Sequence, residues 1–494
     1  MVQLNGEFLS LETIQRVAKQ GEEVSIHPDA LARMAEGRAV IDDILTTNRV
    51  VYGVNTGFGK LADIVIPPSQ LKTLQLNLVR SHACGVGRPL SEPEVRAMML
   101  LRLNVLLLGR SGARPLIAQR LAEMLNEQVH LVVPEKGSVG ASGDLAPLAH
   151  LALGVIGEGH VIEKGQTIHA SEGATNPVEL EAKEGLSLLN GTQAIGAVGS
   201  LALSRGLQAV MTATLAGAMS LEAVLGTDAA FDSRIHTSRQ HQGQMVIAQV
   251  LRSALEGSEI RESHREGDPR VQDAYCLRCM PQVHGAALLA LEHVASIFEN
   301  ETAAATDNPL VFTEGDVISG GNFHAAPLAY ALDYAAIVLT DLASISERRI
   351  DRLINPDLNE GLPAFLTQES GVGSGFMMAH VTAVALLNEC KVLSHPASVD
   401  NAPTSGGKED HVSMGMTAAL KFRQIVENLE TILAIELLCA AQGLEFRRPL
   451  RAGAGVERAY AWVRKAVPAL ETDRILSTDI ERTRARLTSG DYPA

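Results

Sequence analysis

Aromatic and cationic residues are both scarce in this chain. Phe, Trp and Tyr supply 3% of the 494 residues, so the core has to be built from aliphatic side chains, a mixture that packs well between helices. The 42 Lys and Arg residues are outnumbered by 57 Asp and Glu residues, which leaves a net charge of −15. Because an acidic surface repels phosphate backbones and anionic lipids, we expect neither a nucleic acid nor a membrane partner, and a small-molecule ligand is favoured.

Cysteine is also rare, at five residues in the whole chain. An odd number of widely spaced cysteines is typical of a protein in a reducing compartment. Cys276 and Cys279 form one C-x-x-C pair, but no second pair follows at the spacing of a zinc site. We therefore interpret the pair as a coincidence and expect no metal site.

Targeting and membrane segments are missing from the sequence as well. Residues 1–10 lack the basic and apolar regions of a secretion signal. The longest uncharged run, residues 185–204, is interrupted by Asn190, Thr192 and Gln193, which favours a buried helix over a membrane span. We expect a cytoplasmic protein.

Helical spacing of apolar residues dominates what is present. It predicts helices over 92–108 and 115–132, and long helices over 201–225, 283–300, 325–354 and 378–393. The clearest apolar face runs from Phe422 to Leu437. We predict a mainly α protein, with a loop-rich N-terminal domain over residues 1–200 and a bundle of long antiparallel helices with binding loops over residues 201–494.

The stretch from Gly137 to Leu148 is too rich in small residues for an ordinary connection. If the chain bends tightly at Ala141-Ser142-Gly143, the amide nitrogen of Gly143 can attack the carbonyl carbon of Ala141 and close a five-membered ring. Loss of one water from the ring and a second from Ser142 would leave a methylidene-imidazolone. Such a group is an electrophile, which no ordinary side chain supplies.

Simpler interpretations of the stretch stay open at this point, because a glycine-rich loop is most often only a turn. A serine hydrolase elbow is disfavoured, since the G-x-S-x-G pattern lacks its last glycine after Ser142. A P-loop is disfavoured too, because Gly406-Gly407-Lys408 is followed by Glu409 where Ser or Thr is required.

The sequence of residues 140–150, Gly-Ala-Ser-Gly-Asp-Leu-Ala-Pro-Leu-Ala-His, resembles the signature of the histidine and aromatic amino acid ammonia-lyases. Further motifs follow in the order of that family, from about Tyr52 to the C-terminal region. The resemblance implies that Ala141, Ser142 and Gly143 form the methylidene-imidazolone autocatalytically and that no diffusible cofactor is used.

Two loops resemble the parts of the family site that handle protons and the electrophile. Val50 and Val51 predict a short extended piece that leads into Tyr52-Gly-Val-Asn-Thr-Gly-Phe-Gly, where the family tyrosine removes the β-proton of the substrate. Asn190-Gly-Thr-Gln resembles the loop whose asparagine contacts both electrophile and substrate. Taken alone, Tyr52 reads as a half-buried tyrosine and Asn190-Gly191 as a turn.

Two more loops resemble the substrate-binding segments of the family. In the segment 272–279, Gln272 and Tyr275 correspond to contacts with substrate and electrophile, and Arg278 to the residue that holds the substrate carboxylate. The planar fork of arginine suits a carboxylate, although a single arginine is usually a surface residue. Phe323, in Gly-Gly-Asn-Phe-His, corresponds to a residue that lines the pocket.

His82 and Glu409 bear on the choice of substrate. The Ser-His pair at 81–82 and the glutamate of Glu-Asp-His-Val-Ser-Met resemble the histidine-specific members, whereas the phenylalanine and tyrosine enzymes carry other residues at both places. An imidazole is a good partner for a carboxylate in a pocket. The sequence also departs from the family, with Gly406-Gly407-Lys408 in place of Ala-Asn-Gln and Cys276 in place of serine, and Lys408 could pair with Glu409.

The resemblance therefore predicts elimination of ammonia from L-histidine to give trans-urocanate, in a homotetramer whose subunits share active sites. The alternatives are an aminomutase of the same family, which returns ammonia to the β-carbon, and a lyase for tyrosine or phenylalanine. A helical scaffold whose loop never cyclises is the alternative outside the enzymes.

Overall fold

The computed structural model describes residues 1–163, 166–172 and 176–492. These residues form eighteen α-helices and nine short β-strands, so the predicted mainly α class is confirmed. The helices of the first half are α1 (Leu11–Lys19), α2 (Pro28–Thr46), α3 (Leu71–His82), α4 (Glu92–Leu106), α5 (Pro115–Asn126), α6 (Leu145–Val155), α7 (Glu184–Leu189), α8 (Gln193–Ala223) and α9 (Ser233–Arg239). Those of the second half are α10 (Gln242–Ala254), α11 (Glu259–Ser263), α12 (Tyr275–Arg278), α13 (Met280–Thr302), α14 (Ala326–Ile354), α15 (Met377–Leu393), α16 (Gly415–Glu445), α17 (Ala454–Ala466) and α18 (Leu476–Ser489).

The strands are short and form four small sheets. A parallel pair joins β1 (Val2–Leu4) to β2 (Val24–Ile26), and antiparallel pairs join β3 (Val86–Pro89) to β5 (Pro134–Lys136) and β8 (Leu310–Val311) to β9 (Val317–Ile318). The fourth sheet has the antiparallel order β4 (His130–Leu131), β6 (His160–Glu163) and β7 (Gln166–His169). Each sheet joins chain segments that lie next to helices in the sequence.

Local signals explain where the predicted helices begin and end. Ser91 caps α4, since its backbone N–H and its hydroxyl both donate to Glu94 in a capping box. Helix α5 ends six residues before the predicted end at 132, because Gln128 takes a left-handed φ of 55° and His130 enters β4. Apolar alternation in Val129 to Val132 fits a strand as well as a helix, and pairing with β6 decides between them.

Contacts within the chain define two compact units. The first contains Met1–Ser204, Val294–Asp333 and Pro396–Leu420, and the second contains Arg205–His293, Tyr334–His395 and Lys421–Ala494. Within the second unit, the side chains of Leu291, Leu339 and Phe422 all come within 4 Å of a Cβ built on Gly206, so small residues let α8, α13, α14 and α16 approach closely. The predicted domain division after residue 200 stays a prediction.

Two helices, α8 and α14, are long and apolar enough to cross a membrane on length and composition alone. Most of the apolar stretch of each is buried in the structure. Burial within the protein accounts for their composition, as expected from the polar residues that interrupt the run 185–204.

Candidate active site

The glycine-rich stretch forms a loop of the first unit between β5 and α6. Gly140 and Gly143 both adopt φ of 68°, in the left-handed region that favours glycine. A Cβ on Gly143 would lie 2.1 Å from the carbonyl oxygen of Gly191, so no side chain fits there. Backbone packs directly on backbone at the position whose nitrogen is predicted to attack Ala141.

Contacts from distant parts of the chain hold this loop in its bend. The backbone N–H of Met414 donates to Val139 O at 2.8 Å, and the hydroxyl of Ser413 donates to Gly140 O at 3.1 Å. At the other end, the N–H of Asp144 donates to Gly191 O at 2.7 Å. The bend is therefore fixed by tertiary contacts on both sides of Ser142.

Asp144 is a buried carboxyl at the end of the same loop. It accepts hydrogen bonds from the Ser138 hydroxyl at 2.9 Å and from the Ile195 N–H at 2.8 Å. Burial raises the pKa of Asp144 to about 7 despite these bonds, because a charged carboxylate loses its hydration there. Asp144 thus ties the loop to the start of α8.

A pocket of about 800 Å³ opens beside Ser142, entirely within the first unit. Seven of the residues predicted for the site line it together: Tyr52, His82, Ala141, Ser142, Asn190, Phe323 and Glu409. Gly143, next to Ser142 in the chain, is buried and does not line the pocket.

Tyr52 is held by the loop that follows it. Asn55 accepts from the Val51 N–H and donates to Arg49 O, both at 2.9 Å, while Val54 packs with residues of α2 and β8. These side-chain bonds fold residues 52–54 into a turn, and no strand is assigned to Val50 and Val51 before it. Burial raises the pKa of the Tyr52 phenol, and the nearby Glu409 adds to this, whereas a hydrogen bond from the Gly59 backbone opposes it.

His82 ends α3 with its ring at the pocket. Its Nδ1 lies 2.8 Å from the carbonyl oxygen of Leu78, which can only accept, so Nδ1 carries the proton and Nε2 is an acceptor. Burial lowers the pKa of His82, against the opposing effects of the Leu78 bond and Glu409. The neutral ring is therefore the favoured form.

The turn that carries Asn190 rests on Arg102, which the sequence analysis did not select. Arg102 is fully buried in α4, and its Nη1 donates to Asn190 O at 2.6 Å and to the Gln193 side chain at 2.9 Å. Asn190 Nδ2 donates to Asn308 O at 3.1 Å, while its Oδ1 has no hydrogen-bond partner among the described residues. A buried oxygen without a hydrogen-bond partner destabilises the folded state, so Asn190 Oδ1 is suited to accept a hydrogen bond from a group bound in the pocket.

Glu409 forms a direct hydrogen bond with Ser142. The Ser142 hydroxyl donates to Glu409 Oε1 at 2.7 Å, and the Thr404 hydroxyl donates to Oε2 at 2.6 Å. Lys408 is exposed and forms no ion pair with Glu409 in the part of the chain that the structure describes. Thr404 is the second residue that the sequence analysis missed, since a single threonine gives no signal of its own.

The remaining predicted residues, Gln272, Tyr275 and Arg278, belong to the second unit. Gln272 is exposed and Tyr275 is 70% exposed at the start of α12, while the guanidinium carbon of Arg278 lies 4.5 Å from the centre of the Tyr275 ring. The three residues share one short segment, and the pocket beside Ser142 is lined by the first unit.

This chain is similar to known proteins over nearly its whole length. The family model for aromatic amino acid lyases matches residues 9–465. A histidine ammonia-lyase of Koribacter versatilis is 52% identical, with 99% of this chain and 98% of that protein covered. The crystal structure of histidine ammonia-lyase from Trypanosoma cruzi matches with a TM-score of 0.91 at 44% identity, over 99% of this chain and 93% of that one.

A tyrosine aminomutase from Streptomyces globisporus is also similar, with a TM-score of 0.94 at 36% identity over 99% of this chain and 97% of that one. One fold thus carries both lyases and aminomutases. The match to the family model extends over most of the sequence and includes the loop that contains Ser142. The chain belongs to the aromatic amino acid lyase family and is an ammonia lyase.

Proposed function

We propose that this protein eliminates ammonia from L-histidine and releases trans-urocanate. The observation that carries the proposal is the contact between Ser142 and Glu409, 2.7 Å apart in a pocket that His82 also lines. A neutral imidazole carries one N–H donor that a phenyl ring lacks, and the carboxylate of Glu409 or the acceptor Nε2 of His82 can receive it. The relatives named histidine ammonia-lyase support the same substrate.

We propose further that Ala141, Ser142 and Gly143 form a methylidene-imidazolone in the folded chain, so that no diffusible cofactor is needed. Support comes from the backbone contacts that fix the bend and from the tight packing of Gly143 on Gly191. The unpaired Oδ1 of Asn190 fits a site that meets a further polar group. Ala141, Ser142 and Gly143 would hold this group, and it would supply an electrophile for the substrate amine, which would thereby become a better leaving group.

Side chains of the pocket then handle the proton and the ring. Tyr52, as phenolate, removes the β-proton, and Asn190 contacts the electrophile and the substrate. His82 and Glu409 bind the imidazole, and Phe323 lines the pocket.

The carboxylate of the substrate is assigned to Arg278, with Gln272 and Tyr275 as further contacts. We propose that these residues act in the site of a neighbouring subunit of a homotetramer. Support comes from the exposure of Tyr275 and of Val271 beside it, at 70% and 100%. Large exposed apolar residues on an enzyme surface often mark an interface between copies.

From the composition we also propose that the protein binds neither nucleic acid nor membranes and that it is cytoplasmic. The net charge of −15 argues against nucleic acid and anionic membranes. Five free cysteines fit a cytoplasmic location.

Separate incubation of the purified protein with L-histidine, L-tyrosine and L-phenylalanine tests the substrate. We expect a conjugated acid and one equivalent of ammonia from histidine, and much slower reaction with the other two. Intact mass tests the electrophile: the wild-type chain should be lighter than its sequence by two waters, and Ser142→Ala should keep the unmodified mass and lose activity. A wild-type chain of unmodified mass would contradict the proposal.

An aminomutase is the second candidate, favoured by the similarity to the tyrosine aminomutase structure. The product decides between the two. A β-amino acid without net ammonia would identify the mutase, whereas ammonia formed together with urocanate identifies the lyase.

A further inference from the structure

Residues 404–409 form a tight loop whose two ends pair with each other. Its last residue, Glu409, is also the first residue of the Glu-Asp-His-Val-Ser-Met motif. The backbone N–H of Thr404 donates to Glu409 O at 2.8 Å, and the two residues form an antiparallel bridge. Between them Gly406 and Gly407 adopt φ of 64° and 82°. Glycine takes these values at little cost, so the departure from the family sequence at 406–407 is compatible with the tight loop.

Backbone pairing brings the side chains of Thr404 and Glu409 together on one side of the loop. Directly opposed residues of an antiparallel pair have neighbouring side chains. The result is the hydrogen bond of 2.6 Å from the Thr404 hydroxyl to Glu409 Oε2. The backbone bonds of Thr404 do not involve the hydroxyl, so that group is available for orienting the carboxylate.

If the proposed function holds, the two carboxylate oxygens of Glu409 differ in whether they keep their hydrogen-bond donors. Oε1 accepts from the Ser142 hydroxyl at 2.7 Å. Formation of the methylidene breaks the Cβ–Oγ bond of Ser142 and removes its Cα proton, a C=C bond forms, and the oxygen leaves as water. Oε1 then loses its donor, while Oε2 keeps the donor on Thr404.

We propose that Thr404 is a positioning residue that determines how Glu409 receives the substrate ring. Its hydroxyl holds Oε2 after Ser142 has lost its own hydroxyl, so that Oε1 becomes an oriented acceptor for the N–H of the imidazole. A glutamate side chain without this anchor has several rotamers, and fixing it beforehand reduces the entropy lost on binding. The proposal rests on the function proposed above.

The pair Thr404→Val and Thr404→Ser tests the role of the hydroxyl, since valine keeps the shape and serine keeps the donor. We expect Thr404→Val to raise KM for L-histidine roughly tenfold, as for the loss of one hydrogen bond to a charged group, with a smaller change in kcat. Thr404→Ser keeps the hydroxyl donor, so its KM should stay within about twofold of the wild-type value. Thr46→Val, which removes an exposed hydroxyl bonded to Asp42 O in α2, is the matched control.

Intact mass and direct binding separate positioning from a structural effect. Thr404→Val should lose two waters as wild type does, and in a Ser142→Ala background it should weaken L-histidine binding measured by calorimetry. An unchanged KM in Thr404→Val, or a chain that no longer loses its waters, would overturn the proposal. Failure of the wild-type enzyme to convert histidine would instead overturn the proposed function beneath it.

Discussion

At Gly143 a single methyl group would meet backbone that cannot move aside. The added Cβ would lie 2.1 Å from Gly191 O, at a φ of 68° that an alanine tolerates poorly. We expect Gly143→Ala to prevent the loss of two waters and to abolish activity, as measured by intact mass and by ammonia release.

The matched control for this substitution is Gly315→Ala. Gly315 has a φ of 96°, but nothing lies within 4 Å of its added Cβ. Its variant should be destabilised by about 1 kcal/mol and keep full activity and the modified mass. If Gly315→Ala also lost its activity and its modified mass, the effect of Gly143→Ala would follow from backbone strain and not from the contact with Gly191.

The phenol of Tyr52 is a weak acid in its pocket, because burial raises its pKa above the ordinary 10.0. A base acts only when deprotonated, so the active fraction grows as pH rises towards that pKa. We expect kcat/KM to increase with pH through the neutral and alkaline range. Tyr52→Phe should lower kcat by about 10² to 10⁴-fold and leave the modified mass unchanged.

Tyr330→Phe, which alters a tyrosine 57% exposed on α14, is the control for loss of a hydroxyl. It should retain the wild-type pH profile. A rate that stays constant with pH, or a Tyr52→Phe variant of normal kcat, would exclude Tyr52 as the base.

Among the elements, four long helices of the second unit are joined by one buried ionic cluster. Arg349 of α14 forms two hydrogen bonds with Glu436 of α16, at 2.5 and 2.9 Å, and both side chains are fully buried. Ser220 of α8 donates to the same carboxylate, and His284 of α13 contacts the guanidinium. The charges are matched inside the cluster, so either one alone would be left without compensation.

We expect Arg349→Met to reduce the free energy of unfolding by about 3 to 5 kcal/mol, because Glu436 is left buried and unpaired. Replacing both residues with Met should cost less than the single change. Denaturant titrations give both values. The control is Arg265→Met in the exposed pair with Glu262, which should change stability by less than about 1 kcal/mol. A double variant less stable than the single one would contradict this account.

The observed bounds of two long helices agree closely with the predicted ones. Helix α14 spans Ala326–Ile354 where 325–354 was predicted, and α15 spans Met377–Leu393 where 378–393 was predicted. Long apolar periodicity is a strong local signal, so these helices were predictable. The parallel pair β1–β2 was not, since three-residue strands carry too little pattern and depend on partners about twenty residues away.

In the whole molecule, α15 presents apolar side chains that the described residues leave largely exposed. Its buried residues are Ala379, Ala383, Leu387 and Cys390, whereas Met378 and Val381 are 61% and 50% exposed. An exposed stripe of this kind on a long helix supports contact with a second copy of the chain.

If the proposed homotetramer forms, we expect Val381→Glu to shift it to smaller species in light scattering, and to reduce activity if subunits share sites. A charge placed in an apolar contact loses its hydration without a partner. Ile475→Glu alters a single exposed residue at the start of α18 and should leave the mass of the assembly unchanged. A Val381→Glu tetramer with full activity would remove α15 from the interface.

The helical class and the family were predictable from the amino-acid sequence alone, and the same sequence predicts the loop around Ser142 and the residues proposed for the site. These follow from local properties: apolar periodicity, the small residues around Ser142, and motifs that stay contiguous in the chain.

Which side chains come into contact depends on the folded chain as a whole. Ser142 and Glu409 are 267 residues apart in sequence, yet their oxygens lie within 2.7 Å. The support of Asn190 by Arg102 and the anchoring of Glu409 by Thr404 likewise appear only in the fold. Packing of distant segments sets such contacts, and no local pattern encodes the partner, because each residue type occurs many times in the chain.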